Sequence, residues 1–232
     1  MACEYCAGLA VVGGSLPDRS RRASPCQYCD EADSPMTAYW MSEVMWPVPF
    51  DPRHTAFTHW IEPELQGTRV IAVLLEGKEH NWVGWHSKHK LLPPDSATTD
   101  LREQLCELHR ILAFNGERDW MLGAAFDGVL LDGVLTLVHA LPLVPLLDGQ
   151  DSSPHSVRRL ELEEAFGEGL LRSPTLRLVP KVRLNTGARI TASLLSEACQ
   201  SFNTSAAILK DADARWTKGP SIAWQRYDDN DL

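Results

Sequence analysis

Four cysteines in two CxxC pairs, Cys3/Cys6 and Cys26/Cys29, form the most specific chemical pattern in the chain. Each CxxC turn can aim two thiolates at one point, and two such turns complete the tetrahedral shell that zinc takes in structural sites. Nineteen residues separate Cys6 from Cys26, within the range of C-x2-C...C-x2-C zinc sites. Two disulfides, a redox CxxC and an iron-sulfur cluster are the alternatives. Residues 7–14 are mildly apolar, but no basic stretch precedes them, and Arg19, Arg21 and Arg22 follow. No secretory leader is read there, and a cytoplasmic location is expected. A reducing compartment favours metal ligation over crosslinking. A closed four-cysteine shell leaves no coordination position for water, so this zinc would fold and present the loop of residues 7–25 rather than catalyse.

Other reactive side chains give weaker patterns. Cys106 and His109 lie one helical turn apart beside Glu103, but no orienting third group or family signature surrounds them, and a buried thiol with a helix-flank histidine is the plainer reading. His86 and His89, with His80, could suggest a second metal site, yet in a strand His86 and His89 would face opposite sides. No phosphate-binding glycine loop, HExxH helix or GxSxG elbow is present. The pattern therefore points away from an enzyme.

The elements that would position these groups follow from periodicity. Arg69–Leu75 is a continuous apolar run of strand length, and Glu76–Glu79 reads as a tight turn into a second strand. On that second strand His80, Trp82, Gly84, His86, Lys88 and Lys90 would share one face, a basic and aromatic surface of the kind that meets bases and phosphates. Thr99 or Asp100 can cap a helix running to about Phe114, with Leu101, Leu105, Leu108 and Leu112 as its buried stripe. The tandem DGVL at Asp127 and Asp132 signals turns between strands. A second helix is expected over Val157–Leu171. Thr175–Leu184 alternates as a half-buried strand whose outer face carries Arg177, Lys181 and Arg183, with Pro180 placing it at a sheet edge or bulge. A helix from about Thr191 to Asp213 and a loose acidic tail complete the reading.

Strands and helices do not alternate regularly, so the expected class is α+β: a small N-terminal zinc element, then a mixed antiparallel sheet with packed helices. The expected divisions are residues 1–35 as the zinc element, 36–190 as the α+β domain, and 191–232 as the C-terminal helix and acidic tail. At 232 residues and 44% hydrophobic content the chain can bury an adequate core. The longest apolar stretch, Val134–Leu147, is too short to span a bilayer, so no membrane association is expected. The formal net charge of -9 disfavours a free nucleic-acid binder. Local basic clusters nevertheless suit a subunit that touches nucleic acid on one side and protein on the others.

The order of these features resembles the large-subunit-like protein of type IV CRISPR-Cas effector complexes. The resemblance rests on Cys3, Cys6, Cys26 and Cys29 for an N-terminal zinc element. It rests also on the apolar strand Arg69–Leu75 leading into Gly77, Lys78 and His80 in place of an SGxKH-like turn; Glu76 departs from that pattern. The resemblance implies a non-catalytic, zinc-containing subunit of an RNA-guided complex. Its partners would be the guide RNA 5' region, the flanking motif of target DNA and other effector subunits, where base pairing reads the target and protein reads the flanking motif. Nucleic-acid contact is then expected from Lys78, His80, Trp82, Lys88 and Lys90, from Arg177, Lys181 and Arg183, and from Arg19, Arg21 and Arg22. The alternative is a zinc-stabilised protein–protein adaptor that binds through the aromatic segment 39–60.

Overall fold

Leucines at helical spacing and β-branched or aromatic runs at strand spacing build two sheets and three α-helices among the described residues. A computed structural model describes residues 45–53, 59–75, 82–87, 96–115, 120, 123–143, 153–167, 173–184, 190–217 and 219–231. The strands are β1 (Met45–Pro49), β2 (His59–Pro63), β3 (Thr68–Leu75), β4 (Trp82–Ser87), β5 (Gly123–Leu131), β6 (Val134–Pro142), β7 (Leu176–Leu178), β8 (Val182–Arg183), β9 (Ala206–Asp211) and β10 (Gly219–Asp228). The helices are α1 (Ser96–Asn115), α2 (His155–Gly167) and α3 (Ala192–Phe202). The expected α+β class holds, with pairing mostly antiparallel; only β1–β10 and β6–β7 run parallel. The four-cysteine element lies outside the described residues.

The chain divides into two compact units. The first contains Gly67–Ser152 and Arg158–Leu178 and carries the sheet β4-β3-β5-β6-β7. Alternation sends Val70, Ala72 and Leu74 of β3, Ala124 and Phe126 of β5, and Leu135 and Leu137 of β6 into one core. Leu101, Leu105, Leu108 and Leu112 of α1 fill the same core, with Leu162 and Ala165. The leucine stripe expected on the first helix is thus its packed face. The β5–β6 hairpin turns at Asp132–Gly133, both at positive φ (49° and 76°), as a two-residue turn of the primed kind requires. The first Asp-Gly pair does not turn: Asp127 and Gly128 lie inside β5, where the register with β6 shifts. Gly67 enters β3 at φ 129°, and a Cβ there would stand 2.6 Å from the Leu130 carbonyl oxygen, so only glycine fits.

The second unit, Ser42–Gln66, Ser153–Val157 and Val179–Leu232, carries the sheet β1-β10-β9-β2-β8. One face, with Ile61, Ala207, Leu209 and Tyr227, packs on Leu195, Ala198 and Cys199 of α3. Thr191 caps α3 by accepting from the Leu194 N–H, and Asn203 ends it at φ 56°.

Two readings of element extent are corrected here. Thr175–Leu184 is not one strand: β7 belongs to the first unit's sheet and β8 to the second's, with Pro180 in the break. The helix expected to run from Thr191 to Asp213 stops at Phe202, because Asn203 turns left-handed, and the residues beyond it form β9. The segment expected to be loose supplies β10, an interior strand. No described helix is long and apolar enough to cross a membrane.

Candidate functional site

Period-two alternation decides what the second sheet shows on the face turned away from α3. Trp60 on β2 is the cross-strand neighbour of Lys210 on β9, which in turn neighbours Trp224 on β10. One pair of residues further along, Glu62, Ile208 and Arg226 form the next row. Strand pleating therefore gathers two indoles, two cations and a carboxylate on a single face, and Glu64 extends the row just beyond β2.

The inner row is buried and closed on itself. Lys210 Nζ lies 2.5 Å from Glu62 Oε2, with both side chains 1–2% exposed, and 4.0 Å from the Trp224 ring centroid. The Trp60 indole N–H donates to Glu62 Oε1 at 3.1 Å. Lys181 Nζ stands 4.5 Å from the Trp60 ring. His155, fixed by its backbone N–H to the Ala214 carbonyl, places its ring 4.6 Å from Trp60 and 5.8 Å from Trp224. A lysine this deep needs a counter-charge and polarisable neighbours, and Glu62 and the Trp224 face supply both.

The outer row is open to solvent. Arg226 Nε donates to Glu64 Oε1 at 2.7 Å, and Nη2 donates to Glu64 Oε2 at 2.9 Å and to Asp228 Oδ2 at 2.7 Å. The Arg226 and Glu64 side chains are 36% and 32% exposed. Hydrogen bonding to Glu64 raises the guanidinium's already high pKa further, with Asp228 adding to it. Asp228 is held below the usual carboxylate range, first by the Asn230 backbone N–H and then by Arg226. Behind this row the Tyr227 hydroxyl donates to Asp229 at 2.9 Å, and burial, followed by that bond, pushes its pKa up to about 12.

Chemically, the Arg226 guanidinium is the cation of this face open to an oxyanion, while the indoles and the Lys210 ammonium are enclosed. Each cation is already neutralised by a carboxylate of the β2 segment.

The first unit holds a separate polar cluster. Arg69 donates to Asp127 through Nε at 2.9 Å and Nη2 at 2.6 Å, and Asp127 is the cross-strand partner of His139. Asp127 and His139 are both buried. His109, weighed above with Cys106, places Nε2 2.6 Å from the Trp120 carbonyl oxygen, a structural bond in the core.

The residues expected from the sequence fare unevenly. Cys3, Cys6, Cys26 and Cys29, Arg19, Arg21 and Arg22, and Lys78, His80, Lys88 and Lys90 all lie outside the described residues. Trp82 begins β4, opposite Leu75 of β3. Arg177 and Arg183 are exposed but sit on β7 and β8, in different sheets, so they do not share the single basic face expected of them. Among the described residues expected to make contacts, Lys181 reaches the site. Among the described residues, no group of three or more His, Cys, Asp or Glu side chains is placed to hold a metal ion, so nothing described supports the zinc expectation. Sequence reasoning missed Trp60, Glu62, Glu64, Lys210, Trp224 and Arg226. Their signal was the alternation WIEPE and WQRYD, the first in a segment given no strand and the second in the part expected to be a loose tail.

No protein-family profile matches the chain, and no curated protein matches it. Solved structures do. A protein described as Pmar-Lig_Pre superposes with a TM-score of 0.58 at 14% identity, covering 80% of this chain and 46% of that one. Pmar-Lig_PreS3 gives 0.52 at 16% identity, covering 74% and 42%. The ATP-dependent DNA ligase of bacteriophage T7, in complex with ATP, gives 0.54 at 13% identity, covering 81% and 68%. The chain thus spans less than half the length of the two Pmar-Lig proteins. This likeness overturns the resemblance to a type IV CRISPR-Cas subunit, and with it the guide-RNA complex; the adaptor alternative gains no support either. The expectation of a non-catalytic protein is likewise corrected, since the T7 protein sharing the fold is a ligase, an enzyme. At these identities the shared property is architecture: over four-fifths of its length the chain has the fold of an ATP-dependent DNA ligase.

Proposed function

We propose that the chain is a ligase-like nucleotidyltransferase that binds ATP and acts on nucleic-acid ends. The observation that carries this reading is the fold shared with the ATP-bound T7 DNA ligase over 81% of the chain. The second sheet's polar face supports it independently. Arg226 offers a partly exposed planar fork, a cation geometry used for phosphates, above the enclosed row of Trp60, Lys210 and Trp224. The partly exposed Arg226 fork fits a nucleotide phosphate, although Glu64 must share it. ATP would supply an activated adenylyl group, with pyrophosphate as the leaving group. The chain's own part would be to hold the polyphosphate against the Arg226 fork. The exposed arginines Arg177 and Arg183 are proposed contacts for the phosphate backbone of the nucleic acid.

The test is calorimetric titration with ATP in the presence of Mg2+, followed by sealing of a nicked duplex bearing a 5'-phosphate. Saturable ATP binding and ATP-dependent sealing are expected. Replacing Arg177 and Arg183 with Glu should weaken duplex binding and flatten its salt dependence by roughly one unit of slope per lost contact. Absence of ATP binding at millimolar nucleotide by the folded chain would overturn the reading.

A further inference from the structure

The two carboxylates of the β2 segment have a role that packing does not require. Glu62 and Glu64 are spaced by two, so both project onto the polar face, and each takes one of its cations: Glu62 takes Lys210, Glu64 takes Arg226. The inner pair is sealed. The outer pair is one-third exposed, and its geometry is the paired two-point contact, Nε to one oxygen and Nη2 to the other, with which arginine also grips a phosphate. An exposed ion pair of this kind adds little to stability. Its chemical effect is larger, because a guanidinium already chelated by one oxyanion must release it before chelating another.

We propose that Glu64 is a built-in phosphate surrogate that occupies the Arg226 fork and lowers the chain's affinity for nucleotide polyphosphate until it is displaced. The proposal rests on the nucleotide-binding reading above. Asp228 keeps one hydrogen bond to Arg226 Nη2 and does not block the fork, since it engages that single nitrogen and is itself held by the Asn230 backbone N–H and side-chain amide. Displacement of Glu64 leaves Arg226 oriented by Asp228, with Nε and one side of the guanidinium open to the incoming oxyanion.

The test compares ATP and inorganic tripolyphosphate binding by calorimetry in the full chain, in Glu64→Gln and in Glu64→Gln/Arg226→Ala, with circular dichroism to verify folding of each. Glu64→Gln keeps the shape of the side chain and removes the competing charge. It is expected to tighten both ligands about tenfold, the scale of one charge-assisted hydrogen bond, and the double variant should lose that gain. Equal affinity of wild type and Glu64→Gln overturns the proposal while leaving nucleotide binding intact. So does a gain that persists without Arg226, since it would come from general electrostatics. If neither folded protein binds ATP, the nucleotide reading fails and takes this proposal with it.

Discussion

The two sheets differ in how much charge they carry: the first holds the Arg69–Asp127 pair beside His139, the second a larger set. In the first unit the helix-covered face is built almost wholly of aliphatic side chains and Phe126, and α1 seals it with four leucines. In the second, the face on α3 is comparably apolar, but the other face combines two indoles, an imidazole, two cations and two carboxylates, several of them fully buried. Hydrophobic burial alone can close a helix-covered sheet face, and α1 on the first sheet shows it. A buried Lys210–Glu62 pair costs desolvation that an apolar pair of the same volume would avoid. The second unit therefore carries a charged pair that hydrophobic burial does not explain.

The largest test of this contrast is to break the buried pair and then replace it whole. Lys210→Met alone should destabilise the chain by about 3–5 kcal/mol in urea unfolding, because it strands the Glu62 carboxylate. Lys210→Met with Glu62→Leu should recover most of that loss, as an apolar exchange does. A double variant as unstable as the single one would mean that the pair is a structural necessity and would erase the contrast. The corresponding variant in the first unit is Leu105→Ala, which removes a fully buried side chain from α1 and should cost about 2–5 kcal/mol by leaving a cavity. No second charge removal can rescue it. The smallest effect is with alkali. Tyr227 titrates near pH 12 in the fold, above its ordinary value of 10. The folded state retains the proton that the unfolded chain has lost, so stability is intact below pH 10 and declines as pH rises from 10 to 12. Tyr227→Phe should flatten that decline, as measured by unfolding midpoints across the range.

Legibility in the sequence followed the kind of signal each unit emits. The α1 stripe at Leu101, Leu105, Leu108 and Leu112 was plain because four leucines at helical spacing admit one packed face. The Asp132–Gly133 turn was plain because Asp-Gly suits positive φ at both positions. Asp127–Gly128 carries the same dipeptide, but its neighbours Phe126 and Val129 continue a strand, and tertiary pairing on both sides prevailed over the turn preference. The site was illegible for a related reason. WIEPE and WQRYD place bulky and charged residues on the same strand face, part of it buried and part open, so no clean apolar alternation marked the strands. Lys210 was hidden by a helix carried too far, since α3 ends at Asn203 on a left-handed residue that composition alone does not mark. The cysteine pattern drew the functional argument towards a segment outside the described residues, while the fold that decides it lies in 45–231.

The position of β10 has a consequence for how the chain reaches its folded state. β1 pairs within its sheet only with β10, and the two are joined late in the chain's order: the Asp51 N–H bonds to the side chain of Gln225, 174 residues away. Loop closure over that distance must precede any pairing of β1, and non-local pairing of this kind is slow. The hairpins of the first unit can form from neighbours as they emerge, whereas Met45–Pro49 must wait, as an unpaired edge, for residues 219–228. Nascent or truncated chains lacking β10 are thus the species most exposed to mispairing, with β1 and β9 left as open templates for another chain.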